Sequence, residues 1–72
     1  MDFMGVVPQI ASQILVDELA MYQATRFRLT TRLRILNRVG TDEQTRRALE
    51  EELERLEHII GEYEAEIKQL SA

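Results

Sequence analysis

One stretch in the middle of the chain, residues 33–49, reads LRILNRVGTDEQTRRAL and contains signals that end one helix and begin another. Gly40 readily adopts the left-handed backbone that closes a helix. The following residues, 41–44, match a capping box in which the Thr41 hydroxyl accepts from the backbone N–H of Gln44. So short a connection predicts two antiparallel neighbours.

Two rows of mainly apolar residues extend outward from this turn, spaced alternately three and four residues apart. When the chain folds back at Gly40, residues whose numbers sum to 82 face each other, so that Leu33 meets Leu49. This is the spacing of a coiled-coil seam. The first row contains Leu15, Leu19, Tyr22, Arg26, Leu29, Leu33 and Leu36, and the second contains Leu49, Leu53, Leu56, Ile60, Tyr63, Ile67 and Leu70.

We therefore predict an all-α fold, an antiparallel two-helix hairpin (coiled coil). Helix 1 covers about 8–39, the turn 40–41 and helix 2 about 42–70, and an apolar N-terminal arm at 1–7 precedes the hairpin of residues 8–72. Two helices bury only one seam, and the chain has no cysteine to staple it. A second hairpin, giving a four-helix bundle, or a larger partner is expected to complete the fold.

The two helices differ in the apolar residues that lie outside the seam. In helix 2 only Ile59 and some alanines lie there, whereas helix 1 carries a second strip. Each large side chain left in water would forgo roughly 1.5 to 3 kcal/mol of burial. The second strip consists of Ile10, Ile14, Met21, Ala24 and Ile35, with Val16 and Phe27 flanking the seam. The predicted interface consists of Phe3, Met4, Val7, Ile10, Ile14, Met21, Phe27 and Ile35.

Arg26 is the one charged residue in either row, opposite Leu56. Its stem could pack in the layer while its guanidinium emerges beside Glu52, Glu57 or an acid of another subunit. Alternatively it forms a polar layer that fixes register or oligomeric state, as single polar seam residues do. We interpret Arg26 as a register residue.

Charge is segregated between the helices. Residues 9–39 carry five arginines and two acids, whereas residues 40–72 carry ten acids and four basic residues, within a net charge of −4. Because the register brings Glu50, Glu52, Glu54 and Glu57 alongside positions 25–32, an internal match of charges is one explanation. An acidic protein partner is another. A basic ridge that contacts nucleic acid through Arg28, Arg32 and Arg34 is the third.

Over residues 9–70 the predicted architecture resembles the Rop family of plasmid copy-number regulators. The resemblance is one of shape, and small secretion-system chaperones and small virion subunits are similar in the same way. For the Rop family it implies hairpins that dimerise into a four-helix bundle and bind paired RNA loops. The resemblance therefore favours a nucleic-acid-binding regulator as the alternative to a protein interaction subunit.

No pattern in the chain indicates catalysis. The hydroxyl residues have no histidine near them in the folded-back register, and no glycine-rich phosphate loop occurs. His58, between Glu54 and Glu62, lacks the spacing of di-iron carboxylate sites. We therefore expect a small acidic, non-enzymatic structural protein with no cofactor and no metal.

The expected partners are a second copy of the chain, as a homodimer or higher oligomer, a larger protein assembly, or both. The longest uncharged stretch, residues 3–16, is shorter than the about 20 residues that span a bilayer. We accordingly expect no membrane span. A membrane-surface protein that inserts residues 1–7 is a third alternative, but such segments usually carry Lys or Arg at their polar edge, and here the nearby charges are Asp2 and Asp17. Membrane association is therefore not expected. No basic region or cleavage pattern of a secretory signal is present. The expected location is the cytoplasm or a soluble assembly, without secretion by a signal peptide.

Overall fold

The structure, a computed structural model, describes residues 7–71. It contains two helices, α1 (Pro8–Val39) and α2 (Glu43–Ser71), which pack against each other as a helical hairpin. The molecule measures 50 × 19 × 15 Å, and the 32 residues of α1 rise about 48 Å, so the hairpin is as long as one helix. The predicted all-helical hairpin is confirmed. Coiled-coil packing and completion to a four-helix bundle stay predictions.

The two ends of α1 are formed by proline and glycine. Pro8 is its first residue, where the missing N–H costs no hydrogen bond, and the Ala11 N–H donates to the Val7 carbonyl at 2.9 Å. At the other end the Gly40 N–H donates to the Leu36 carbonyl at 2.7 Å. Gly40 has a φ of 101°, a conformation that favours glycine, so the chain leaves the helix there.

The start of α2 differs from the prediction in which residue caps it. The sequence predicts Thr41 as the cap, but the structure places an Asp42 carboxylate oxygen 2.9 Å from the Thr45 N–H that donates to it. A carboxylate is the better acceptor at the positive end of a helix dipole. The cap therefore lies one residue later, and α2 begins at Glu43.

The seam between the helices contains the residues of both predicted rows. All fourteen are partly or fully buried, and Leu56 and Ile60 are only 5% and 3% exposed. Within residues 7–71 only Ala11 is buried as completely. This follows from the architecture, because a helix pair leaves the two edges of its seam open to water.

Neighbours across the seam show that the helices run in opposite directions. The Tyr22 and Tyr63 rings lie 5.3 Å apart at their centroids, and Ser12 shares a groove with Leu70.

Neither described helix combines the length and the apolar character needed to cross a membrane.

Candidate functional site

The exposed apolar surface lies entirely on one side of the hairpin. Within the described chain, every large hydrophobic residue that is exposed belongs to α1 or to Val7, directly before it. Met21 and Phe27 are 68% and 70% exposed, values typical of a side chain that nothing covers. The full set is Val7, Ile10, Ile14, Val16, Met21, Phe27, Ile35 and Val39.

Six of the eight predicted interface residues are in this exposed set. The other two, Phe3 and Met4, lie outside the described residues. Val39, 73% exposed beside the turn, was missed by the sequence reasoning, although its place just before Gly40 puts it beyond the reach of α2. Ile59, the one large apolar residue of α2 outside its row, is partly buried.

The position of the second strip on α1 explains this exposure. Ile14, Met21 and Ile35 recur at multiples of seven residues, so they form a line parallel to the seam. A second line, through Ile10 and Ala24, runs beside the first. In a heptad, the strip that these two lines form is centred about 150° around the helix from the seam. α2 packs on the seam and therefore cannot reach the second strip.

The expected match between the arginines of helix 1 and the glutamates of helix 2 is not formed. All ion pairs among residues 7–71 lie within α2. Arg55 binds Glu52 at 2.6 Å, and Arg46 binds both Glu43 and Glu50, which raise the pKa of its guanidinium. Partners three or four residues away on one helix are already within reach, so Glu43, Glu50 and Glu52 pair with arginines of α2 itself.

The arginines of α1 consequently have no acidic partner among the described residues. Arg28 donates to the Thr25 hydroxyl at 3.2 Å and is exposed, as are Arg32, Arg34 and Arg38. Arg26 is partly buried in the seam, and Glu52, one of its expected partners, is bound to Arg55 instead. The role of Arg26 in register stays a prediction.

A polar contact on the edge of the seam was not anticipated. The Tyr63 hydroxyl donates to a Glu18 carboxylate oxygen at 2.6 Å, beside the Tyr22 ring. This hydrogen bond, together with partial desolvation and the charge of Glu18, raises the pKa of Tyr63 to about 12. The register could have predicted this contact, because Leu19 faces Tyr63 and Glu18 is the residue directly before Leu19.

The histidine on α2 is solvated. His58 is 79% exposed in its side chain, with Nε2 at 4.0 Å from a Glu62 oxygen. Across residues 7–71 the structure brings together no group of three or more acidic or histidine side chains able to hold a metal ion.

A comparison of the chain with protein-family models finds no match, and comparisons with curated proteins and with solved structures likewise find none.

Proposed function

We propose that this protein is a non-catalytic interaction and assembly subunit that binds its partner through α1 and the N-terminal arm. The observation that carries the proposal is the one-sided exposure, in which α1 presents the large apolar residues and α2 presents none within the described chain. Several large apolar side chains exposed on one helix ordinarily mark an interface. The partner is a second copy or a larger assembly, in the cytoplasm or in another soluble setting.

The free energy of burying apolar side chains favours a partner that covers the second strip and the neighbouring Phe27. Ile14, Met21, Phe27 and Ile35 are 46% to 70% exposed, so together they would recover roughly 3 to 7 kcal/mol if a partner removed them fully from water. That is comparable with the whole stability of a small domain. In this proposal the seam is a coiled coil that positions α1, and α2 is the solvated exterior.

The first test is Ile14→Asp combined with Met21→Asp. Both side chains are exposed in the hairpin, so helix content by circular dichroism should stay unchanged. We expect the mass measured by light scattering to fall to the 8.4 kDa monomer, or capture of the native partner to be lost. The control is Ala48→Asp with Ala65→Asp, which adds the same charge to exposed positions of α2. Unchanged mass and unchanged capture would refute the assignment of this surface.

A nucleic-acid-binding regulator is the second candidate, and the arginines of α1 that have no acidic partner among the described residues favour it. Arg28, Arg32 and Arg34 would neutralise phosphates and release counterions. If so, the protein binds RNA with steep salt dependence, and replacing the three by alanine should abolish binding. Arg46, Arg47 and Arg55, held in ion pairs on α2, are the matched control triple. Absence of binding at low salt would remove this candidate.

A further inference from the structure

We propose that the second strip of α1 pairs with the same strip of a second copy, antiparallel, with Asp17 of each copy opposite Arg28 of the other. This inference rests on the proposed interaction function and names the partner. It follows from the order of residues along the strip, from the charges there and from the surfaces that each helix leaves uncovered.

The residues of the second strip belong to a second heptad pattern on α1. It begins at Val7 and advances alternately by three and four residues to Arg38, passing through Ile10, Ile14, Met21, Ala24 and Ile35. Polar residues interrupt it at Asp17, Arg28 and Thr31 before it ends. The acid lies in the first half of the strip and the arginine in the second, so an antiparallel copy brings opposite charges together.

Only one register makes this pairing. In an antiparallel pair of helices the numbers of facing residues have a constant sum, and Asp17 faces Arg28 when that sum is 45. Ile10 then faces Ile35 of the other copy. The neighbouring registers that keep the strips in contact have sums of 38 and 52. The first opposes Ile10 to Arg28 and the second opposes Asp17 to Ile35, so both bury a charge against an apolar side chain inside the contact. The register with sum 45 opposes a charge to an apolar residue only at its two ends, where Val7 faces Arg38 and both are exposed.

Side-chain sizes agree with the register in which the sum is 45. Met21 faces Ala24 on both sides of the twofold axis, so a long side chain meets a small one. On the flank of the strip, Phe27 comes to lie near Ala20 of the other copy. Phe27 is 70% exposed and Ala20 is exposed as well, so this contact would cover the large ring with no crowding.

α2 of the second copy is a poorer cover for the strip. The described part of α2 has no exposed large apolar residue, so it offers the strip no apolar surface to pack against. Since the second strip lies about 150° from the seam, the four helices would lie side by side in the order α2, α1, α1, α2. This is a row of helices rather than the closed bundle of the Rop type.

The contact is large enough for a specific dimer of moderate strength. The strip from residue 7 to residue 38 is about 47 Å long, and a helix contact about 10 Å wide would bury on the order of 900 Å² over both copies. Flanking side chains such as Phe27 add to this area. The total is near the lower limit of specific interfaces, so we expect a dimer that dissociates on dilution.

Charge exchange tests the pairing in solution. Asp17→Arg places two arginines opposite each other twice per dimer, and Arg28→Asp does the same with two acids. We expect each single variant to raise the dimer dissociation constant by about tenfold or more, and the double exchange to restore it. Sedimentation equilibrium at low and high salt measures this. If the double variant is no better than the single ones, the Asp17–Arg28 pairing is wrong.

Cysteine cross-linking tests the register, because the chain has no cysteine of its own. Ile14→Cys with Thr31→Cys puts a thiol pair face to face twice in the register with sum 45. The two positions are about 25 Å apart within one helix and cannot bond to each other. We expect a disulfide-linked dimer under mild oxidation. Ile14→Cys with Arg38→Cys, which face each other only at a sum of 52, is the control and should stay unlinked.

Failure of this inference and failure of the proposed function would give different results. A chain that is monomeric at all concentrations overturns this inference, yet leaves the proposed function standing if Ile14→Asp with Met21→Asp still abolishes capture of another protein. A dimer that cross-links only in the control pair overturns the register. A dimer that persists in the variant with Ile14→Asp and Met21→Asp overturns this inference. It overturns the proposed function as well if capture of the native partner is also unchanged.

Discussion

The contact between Tyr63 and Glu18 joins the two helices by a single hydrogen bond. The carboxylate accepts from the neutral phenol, so removing the phenol proton would place two negative charges side by side. The folded-state pKa of about 12 is above the ordinary 10.0. The contact therefore contributes stability below pH 10, and that contribution is lost as the pH rises through about 12.

Replacing Glu18 should move this titration. In a Tyr22→Phe background Tyr63 is the only tyrosine, and Glu18→Gln should lower its pKa toward 10.0. Tyrosinate absorbance against pH measures the shift, with circular dichroism to confirm that the hairpin is folded. Glu51→Gln removes the same charge far from the phenol and should leave the titration unchanged. Equal pKa values with and without Glu18 would contradict the assigned cause.

At the scale of a helix, the start of α2 depends on Asp42. The Thr45 side chain and its backbone N–H hydrogen-bond this carboxylate and lower its pKa below the ordinary 3.8. A lowered folded-state pKa means that the capping contribution is present above about pH 4 and is lost as the pH falls through the folded value. Acid should therefore fray α2 at its first turn.

Substitution of the cap should be visible in thermal unfolding. Asp42→Ala should lower Tm by about 4 to 8 °C at neutral pH, the usual effect of losing an N-cap in a chain of this size. The difference in Tm between this variant and the native chain should narrow as the pH falls below 3.8 and the carboxyl becomes protonated. Thr41→Ala is the matched control, because it removes the neighbouring hydroxyl and should change Tm little. A larger loss for Thr41→Ala would return the cap to Thr41. All variants must be compared at one protein concentration.

These two contacts show how far sequence reasoning extends. The helices follow from the spacing of the rows and from Gly40, which are local signals. The prediction placed the cap of α2 one residue too early, because Thr41 and Asp42 are both good capping residues. The choice between them depends on which side chain reaches the backbone N–H groups of the first turn, and Asp42 reaches that of Thr45. The Tyr63 contact was missed because pairs at the edge of a seam depend on side-chain rotamers as well as register.

At the scale of the whole molecule, the sequence correctly predicted that α2 places its large apolar residues in the seam, whereas α1 keeps others exposed outside it. It failed for the ion pairs, because facing charges on two helices compete with partners one turn away on the same helix. Arg55 and Glu52 illustrate this, since they are already within reach of each other before the hairpin closes. The partner itself depends on a second molecule, and its identity therefore stays a proposal.

The single connection between the helices also affects the order in which we expect the contacts to form during folding. Tyr63 and Glu18 are 45 residues apart in the chain, and Ser12 and Leu70 are 58 apart. Closing the outer pair first would require a long loop, whereas closing outward from Gly40 leaves only a few residues to fix at each step. We therefore expect the hairpin to close outward from its turn, with the largest entropic cost in the first helical turns beside Gly40.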